Sequence, residues 1–117
     1  MNITVLRGAL SRPPQVRRLQ SGDLLVSYDV TVPAHRGRPT ESVPVAWFAA
    51  PERAATFEAD TDVVVIGRVR RRFFRLGGVT QSRTEVVADA VVPTSQAKRA
   101  ARLALAALAE VEESLRR

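Results

Sequence analysis

Over its first 92 residues the chain is patterned in twos, the period of strands with one buried face. ITVLRGAL (3–10) predicts a first strand. SRPPQ ends it, because Pro13 and Pro14 have no N–H to give a central ladder. In DLLVSYDVTV (23–32), Leu24, Val26, Tyr28, Val30 and Val32 share a face and Leu25, Ser27, Asp29 and Thr31 share the other, predicting a second strand with one side in a core and one in water. PAHRGRPTES (33–42) reads as a loop. SVPVAWFA (42–49) predicts a third strand with Val43, Val45 and Trp47 inward and Ser42, Pro44, Ala46 and Phe48 opposite. In PERAATFEAD (51–60) a leading proline and the alanines and glutamates predict one or two helical turns. DVVVIGRVRRRFF (62–74) is a long fourth strand, RLGGVTQSR (75–83) a turn around the hairpin pair Gly77-Gly78, and TEVVADAVV (84–92) a fifth.

At Ser95 the period changes. SQAKRAARLALAALAEVEESLRR (95–117) is built from strong helix formers, with Ser95 as the expected cap. Ala97, Ala101, Ala104, Leu108, Val111 and Leu115 recur at alternating spacings of four and three, an apolar seam along one side. Such a seam serves equally to pack the helix on its own domain or to bring two copies together. The chain therefore divides into an all-β domain over 1–93 and a C-terminal helical extension over 94–117. Five strands with a short helix between the third and fourth is the order of a five-stranded oligonucleotide/oligosaccharide-binding (OB-fold) barrel. A small sandwich uses the same elements.

Composition narrows the chemistry. With 117 residues there is room for one core and an appendage. There is no cysteine and one histidine, which excludes disulfides, thiolate sites and zinc clusters built on them. No paired carboxylates, activated nucleophile or glycine-rich phosphate loop is legible, so a non-enzymatic protein without a cofactor is expected. No run approaches the roughly 20 apolar residues of a membrane span, and MNITVLRGAL does not have the form of an export leader, so a soluble, unexported, cytoplasmic protein is expected, without membrane contact. The formal charge is +6, from 18 basic and 12 acidic residues, and all but one of the basic residues are arginine. That excess suits a polyanionic partner.

The most unusual stretch is GRVRRRFFRL (67–76), five arginines and two phenylalanines after an apolar run. Alternation puts Arg68, Arg70, Arg72 and Phe74 on one face and Val69, Arg71 and Phe73 on the other. Guanidinium groups for phosphates, followed by a flat ring on which an unpaired base can stack, is what a single strand of nucleic acid requires. The alternative is a solvated basic face with Phe74 in the core. Arg36 and Arg38 in the loop, and Arg75 and Arg83 by the hairpin tip, add positive charge where loops would flank a groove. Trp47 shares its phase with Val43 and Val45 and is expected in the core. His35 is expected to be a solvated loop residue within reach of a phosphate.

NITVLRGAL with Gly8, PPQVRRLQSGDLLVSYDVTV, VPVAWFA, VVVIGRVRRRFF and RTEVVAD, taken together over residues 2–92, resemble the bacterial single-stranded DNA-binding protein family. The heptapeptide Arg83–Asp89 downstream of Gly67-Arg68-Val69-Arg70 is the most specific part. The resemblance implies an OB-fold barrel that binds single-stranded DNA in replication, repair or recombination and assembles into a dimer or tetramer. It implies base-contacting rings at Phe48 and Phe74 and basic contacts at Arg70 and Arg72. Preference between DNA and RNA stays open. Ser42 stands where the family usually has another aromatic, and the loop aromatic expected near His35 and Arg36 is absent, which implies weaker binding or a shorter site. The family's disordered linker and acidic tip are replaced by 94–117, with five basic and three acidic residues, so recruitment of replication proteins through such a tip is not implied. The alternative is an assembly module of the same fold, comparable to the small primosomal replication restart protein, working mainly through protein contacts and its C-terminal helix.

Overall fold

A computed structural model describes all residues from Met1 to Arg117. The chain is mostly β, with six strands: β1 (Thr4–Leu10), β2 (Gln15–Arg18), β3 (Leu24–Val32), β4 (Glu41–Phe48), β5 (Asp62–Leu76) and β6 (Val79–Pro93). A 3-10 turn, Glu52–Ala55, lies between β4 and β5, and one helix, α1 (Ala97–Leu115), follows β6. The strand absent from the sequence expectation is β2. It pairs only with β3, from Gln15 opposite Ser27 to Arg18 opposite Leu24, and all four of its residues are exposed. An edge strand that buries nothing leaves no apolar alternation to read. The expected turn over 75–83 also shrinks to Gly77-Gly78, both at positive φ as a tight two-residue hairpin demands. Strands β5 and β6 therefore run 15 residues each.

The hydrogen-bonded order is β2-β3-β4-β6-β5-β1, and β1 pairs again with β3 through Ala9 and Leu10. Five strands thus close into a ring, with β2 as an outer flap. All pairings are antiparallel except β4 with β6. Two glycines permit the closure: a Cβ on Gly8 would overlap the Thr31 carbonyl, and one on Gly67 the Val87 carbonyl. At Gly67 the register also shifts: Ile66 faces Ala90 but Gly67 faces Ala88, so Asp89 is bulged out. The bulge keeps Val86, Ala88 and Val91 all directed inward although their spacing breaks the period of two.

The core fills the ring with the residues that alternation assigns to it, Val26, Val30, Val45 and Trp47, joined by Val63 and Val65 of β5, and all are buried. Fully burying a side chain of this kind is worth about 1.5–3 kcal/mol. The buried Tyr28 hydroxyl donates to the Ala54 carbonyl at 2.6 Å, and its ring stacks on Phe57 with centroids 6.2 Å apart, tying the 3-10 turn to β3. On the N-terminal side, the Asn2 carboxamide extends the ladder beyond β1, donating to the Val69 carbonyl at 2.6 Å and accepting from its N–H at 3.0 Å.

Helix α1 lies against β5 and β6. Ile66 and Val92, on the outer face of these strands, are buried although they point away from the core, as are Ala100 and Ala107 on the helix. The packed face is therefore Ala100, Leu103, Ala104, Ala107 and Val111. This corrects the expected seam. Ala104 and Val111 turn inward, while Ala97, Ala101, Leu108 and Leu115 remain exposed. Two neighbouring rows of the helix are apolar, and the alanine-rich one fits close against the sheet. The cap is corrected too: the helix starts after Gln96, and no side chain, Ser95 included, caps it. No helix is long and apolar enough to cross a membrane.

Candidate functional site

The outer faces of β3, β4, β5 and β6, above the region covered by α1, form an open groove of about 660 Å³ walled on one side by β2. Each strand delivers its outward residues by the period of two: Leu25 and Ser27 from β3, Phe48 from β4, Arg70 and Arg72 from β5, Arg83 and Glu85 from β6. The register fixes the last two pairs, with Arg70 opposite Glu85 and Arg72 opposite Arg83.

Glu85 organises the groove. Its side chain is only 6% exposed, and its Oε2 accepts from Arg70 Nε at 3.0 Å and Nη2 at 2.8 Å. Arg72 Nε lies 3.3 Å from the same oxygen and Arg83 Nε 3.7 Å from Oε1. A carboxylate held this deeply requires such partners, because an uncompensated buried charge is costly. Three guanidinium groups against one carboxylate leave the cluster with two positive charges in excess. The same arginines lie over rings: Arg70 is 5.1 Å from the centroid of Phe48 and Arg72 5.4 Å from that of Phe74. Beneath, burial pushes the Tyr28 phenol well above its ordinary pKa, the positive charge of Arg53 offsetting this only in part. Tyr28 is thus a neutral hydroxyl tied to Ala54.

Of the residues singled out in the sequence, Phe48, Arg70, Arg72 and Arg83 meet in the groove. Phe74, half-buried and opposite Gln81, lies on the same face farther along the hairpin. Arg68 is exposed on that face, opposite Val87. Arg75 instead donates to the Gly78 carbonyl at 2.7 Å at the hairpin tip. Arg36 and Arg38 are exposed in the β3–β4 loop, where the backbones of His35 and Arg38 bridge and Arg36 has φ 49°; neither lines the groove. Trp47 is in the core.

The groove also contains residues outside the expected set. Gln15 and Arg17 come from the unforeseen β2, and Arg12, ahead of it, pairs with Asp29 at 2.6 Å. Glu85 was legible in principle, since it shares a phase with Arg83 on a strand that was expected. Chemically, the arrangement offers five arginines against two carboxylates, Asp29 and Glu85, both already paired, beside ring faces at the groove's surface: a surface for an anionic chain bearing flat groups.

No protein-family model matches the chain, and no curated protein matches its sequence.

Proposed function

We propose that the protein is a non-enzymatic binder of unpaired nucleic acid, single-stranded DNA in the first place, and a divergent relative of the bacterial single-stranded DNA-binding family with a nucleoid-associated role. The ring order β1-β3-β4-β6-β5-β1, with only β4 and β6 parallel, supports an OB-fold reading. The observation that carries the function is the pair of guanidinium–ring contacts, Arg70 on Phe48 and Arg72 on Phe74, on one face along an open groove. A stacked base takes the guanidinium's place on the ring or sandwiches it, and a phosphate competes with Glu85 for the released arginine. Duplexes hide their base faces and gain only the charge.

The test is fluorescence anisotropy of labelled oligo-thymidine at low and near-physiological salt, with unlabelled duplex as competitor. Binding that persists at the higher salt and resists duplex is the expected result, with log affinity falling in log salt by about 0.7 per phosphate contacted. Binding abolished by salt or equally displaced by duplex would leave charge alone and favour the assembly module. A specific observation speaks for that second reading: Leu105, Leu108 and Leu115 of α1 are exposed.

A further inference from the structure

With one face of α1 on the sheet, a second apolar row stays in water: Ala101, Leu105, Leu108 and Leu115, the leucines 63%, 61% and 81% exposed. The charges on this helix are distributed against its own interest. Lys98, Arg99 and Arg102 lie in the N-terminal part, where the backbone dipole is already positive, and Glu110, Glu112 and Glu113 lie in the C-terminal part, where it is negative. No acidic residue offsets the first turn, no basic residue the last, and no side chain caps the N-terminus. Only Arg116 and Arg117, past the helix end, reach back to Glu112 and Glu113, in exposed pairs that exchange readily.

A polarity that disfavours an isolated helix favours two helices running in opposite directions. We propose that the exposed row of α1 is the contact with a second copy of this chain, the two helices antiparallel about a two-fold axis near Leu105 and Leu108. Under that symmetry Leu105 of one copy meets Leu108 of the other, and the converse contact follows. The basic N-terminal part of each helix lies beside the acidic C-terminal part of its partner, and each macrodipole opposes the other. On an antiparallel pair the same flank of both helices meets, so Lys98 and Arg102 of one copy approach Glu112 and Glu113 of the other. A parallel pair would set like charges side by side along the same row. The axis lies on α1, away from the groove, so two grooves are presented by one particle. The inference does not depend on what the groove binds.

Sedimentation equilibrium on the full chain tests it. Leu105→Glu with Leu108→Glu is expected to lose an association step, halving the particle mass, with far-UV circular dichroism unchanged because both side chains are already in water. A wild-type monomer across the accessible concentration range, or an unchanged mass in the variant, overturns the proposal. Orientation is read by cross-linking, for which the absence of native cysteine leaves a clean background. An equimolar mixture of Ala101→Cys and Glu112→Cys chains is expected to oxidise mainly to the mixed disulfide. Predominant self-cross-linking of Ala101→Cys would show parallel helices and sink the antiparallel arrangement. Exchanging charges gives a third arm: Lys98→Glu with Arg102→Glu weakens self-association, and mixing that variant with Glu112→Lys, Glu113→Lys chains restores it.

Discussion

Strands β5 and β6 are one continuous ladder with two different halves. From Asp62 to Gly67 and from Ala88 to Pro93 the ladder is covered on both sides, with Val63, Val65 and Val91 in the core and Ile66 and Val92 beneath α1. In β5 this half reads as an unbroken apolar run, Val63 to Ile66, as strands buried on both faces do. Beyond the bulge, the arm from Arg68 to Thr84 carries arginines on both faces and leaves Phe73, Leu76 and Val79 in water. A two-stranded ribbon is marginal by itself. The arm stands because it continues a ladder anchored elsewhere and because its polar side chains find one another: Arg70, Arg72 and Arg83 on Glu85, Arg71 on Ser82 at 3.2 Å, and Arg75 on the Gly78 carbonyl. Stability is concentrated in one half, and the other is free to present chemistry.

The sharpest way to break this contrast is at the bulge. Gly67→Ala pushes a methyl into the Val87 backbone, which cannot yield, and is expected to cost about 3 kcal/mol in urea unfolding. In the arm, Phe73→Ala, at 65% exposure, should stay within roughly 0.5 kcal/mol of the parent. Equal losses at both positions would remove the distinction between the halves.

Binding should divide by face rather than by residue type. Phe48→Ala and Phe74→Ala are each expected to weaken oligo-thymidine binding by about tenfold, within the roughly 1–3 kcal/mol of one stacked base. Phe73→Ala, across the ribbon from Phe74, should change affinity little. A Phe73 effect as large as that of Phe74 would mean that the wrong face has been assigned.

Glu85→Gln removes the anion shared by the groove arginines. Because those arginines are themselves part-exposed and can turn to solvent, the expected stability loss is only about 1 kcal/mol. Oligo-thymidine should bind more tightly, with the log–log salt slope steeper by about 0.7 for the one positive charge released. Weaker binding in this variant would show that Glu85 serves by positioning the arginines rather than by competing for them.

An effect of similar size is expected in the core, on β3. Tyr28 keeps its proton in the fold after it has lost it in the unfolded chain, so its contribution is intact below about pH 10, the ordinary phenol value, and is lost as pH rises above that. Tyr28→Phe leaves the Ala54 carbonyl without its donor, at about 1 kcal/mol near neutral pH, and should flatten the alkaline decline in stability. An unchanged decline would assign the alkaline transition to other groups.

Much of this arrangement was legible because side-chain phase is a local property. A period of two put Trp47 with Val45 inside and Phe48 outside, and Arg70 and Arg72 on one face of β5, before any strand had a neighbour. Likewise the change of composition at Ser95 marked a helix within two residues of its start. Strand β2 was not legible, since an exposed edge strand has no buried partner to imprint a pattern on it. Nor was the row of α1 that would be buried, because two adjacent rows are apolar and only the surface of β5 and β6 selects between them.

Local pattern alone accounts for the strands with a wet and a dry face, the Gly77-Gly78 hairpin, the helix, and the outward side chains of β3, β4 and the arginine stretch of β5. The tertiary structure alone decided which outward residues meet. Bringing Arg70 and Arg72 together with Arg83 and Glu85, and Arg70 over Phe48, depends on β6 lying between β5 and β4 in a given register, a long-range pairing that no local pattern encodes. Arg36 and Arg38 show the converse: charges that look equivalent along the chain stay out of the groove because their loop closes on itself. Faces follow from covalent geometry and hydrophobicity within a few residues, whereas a site is made by contacts whose partners lie tens of residues apart.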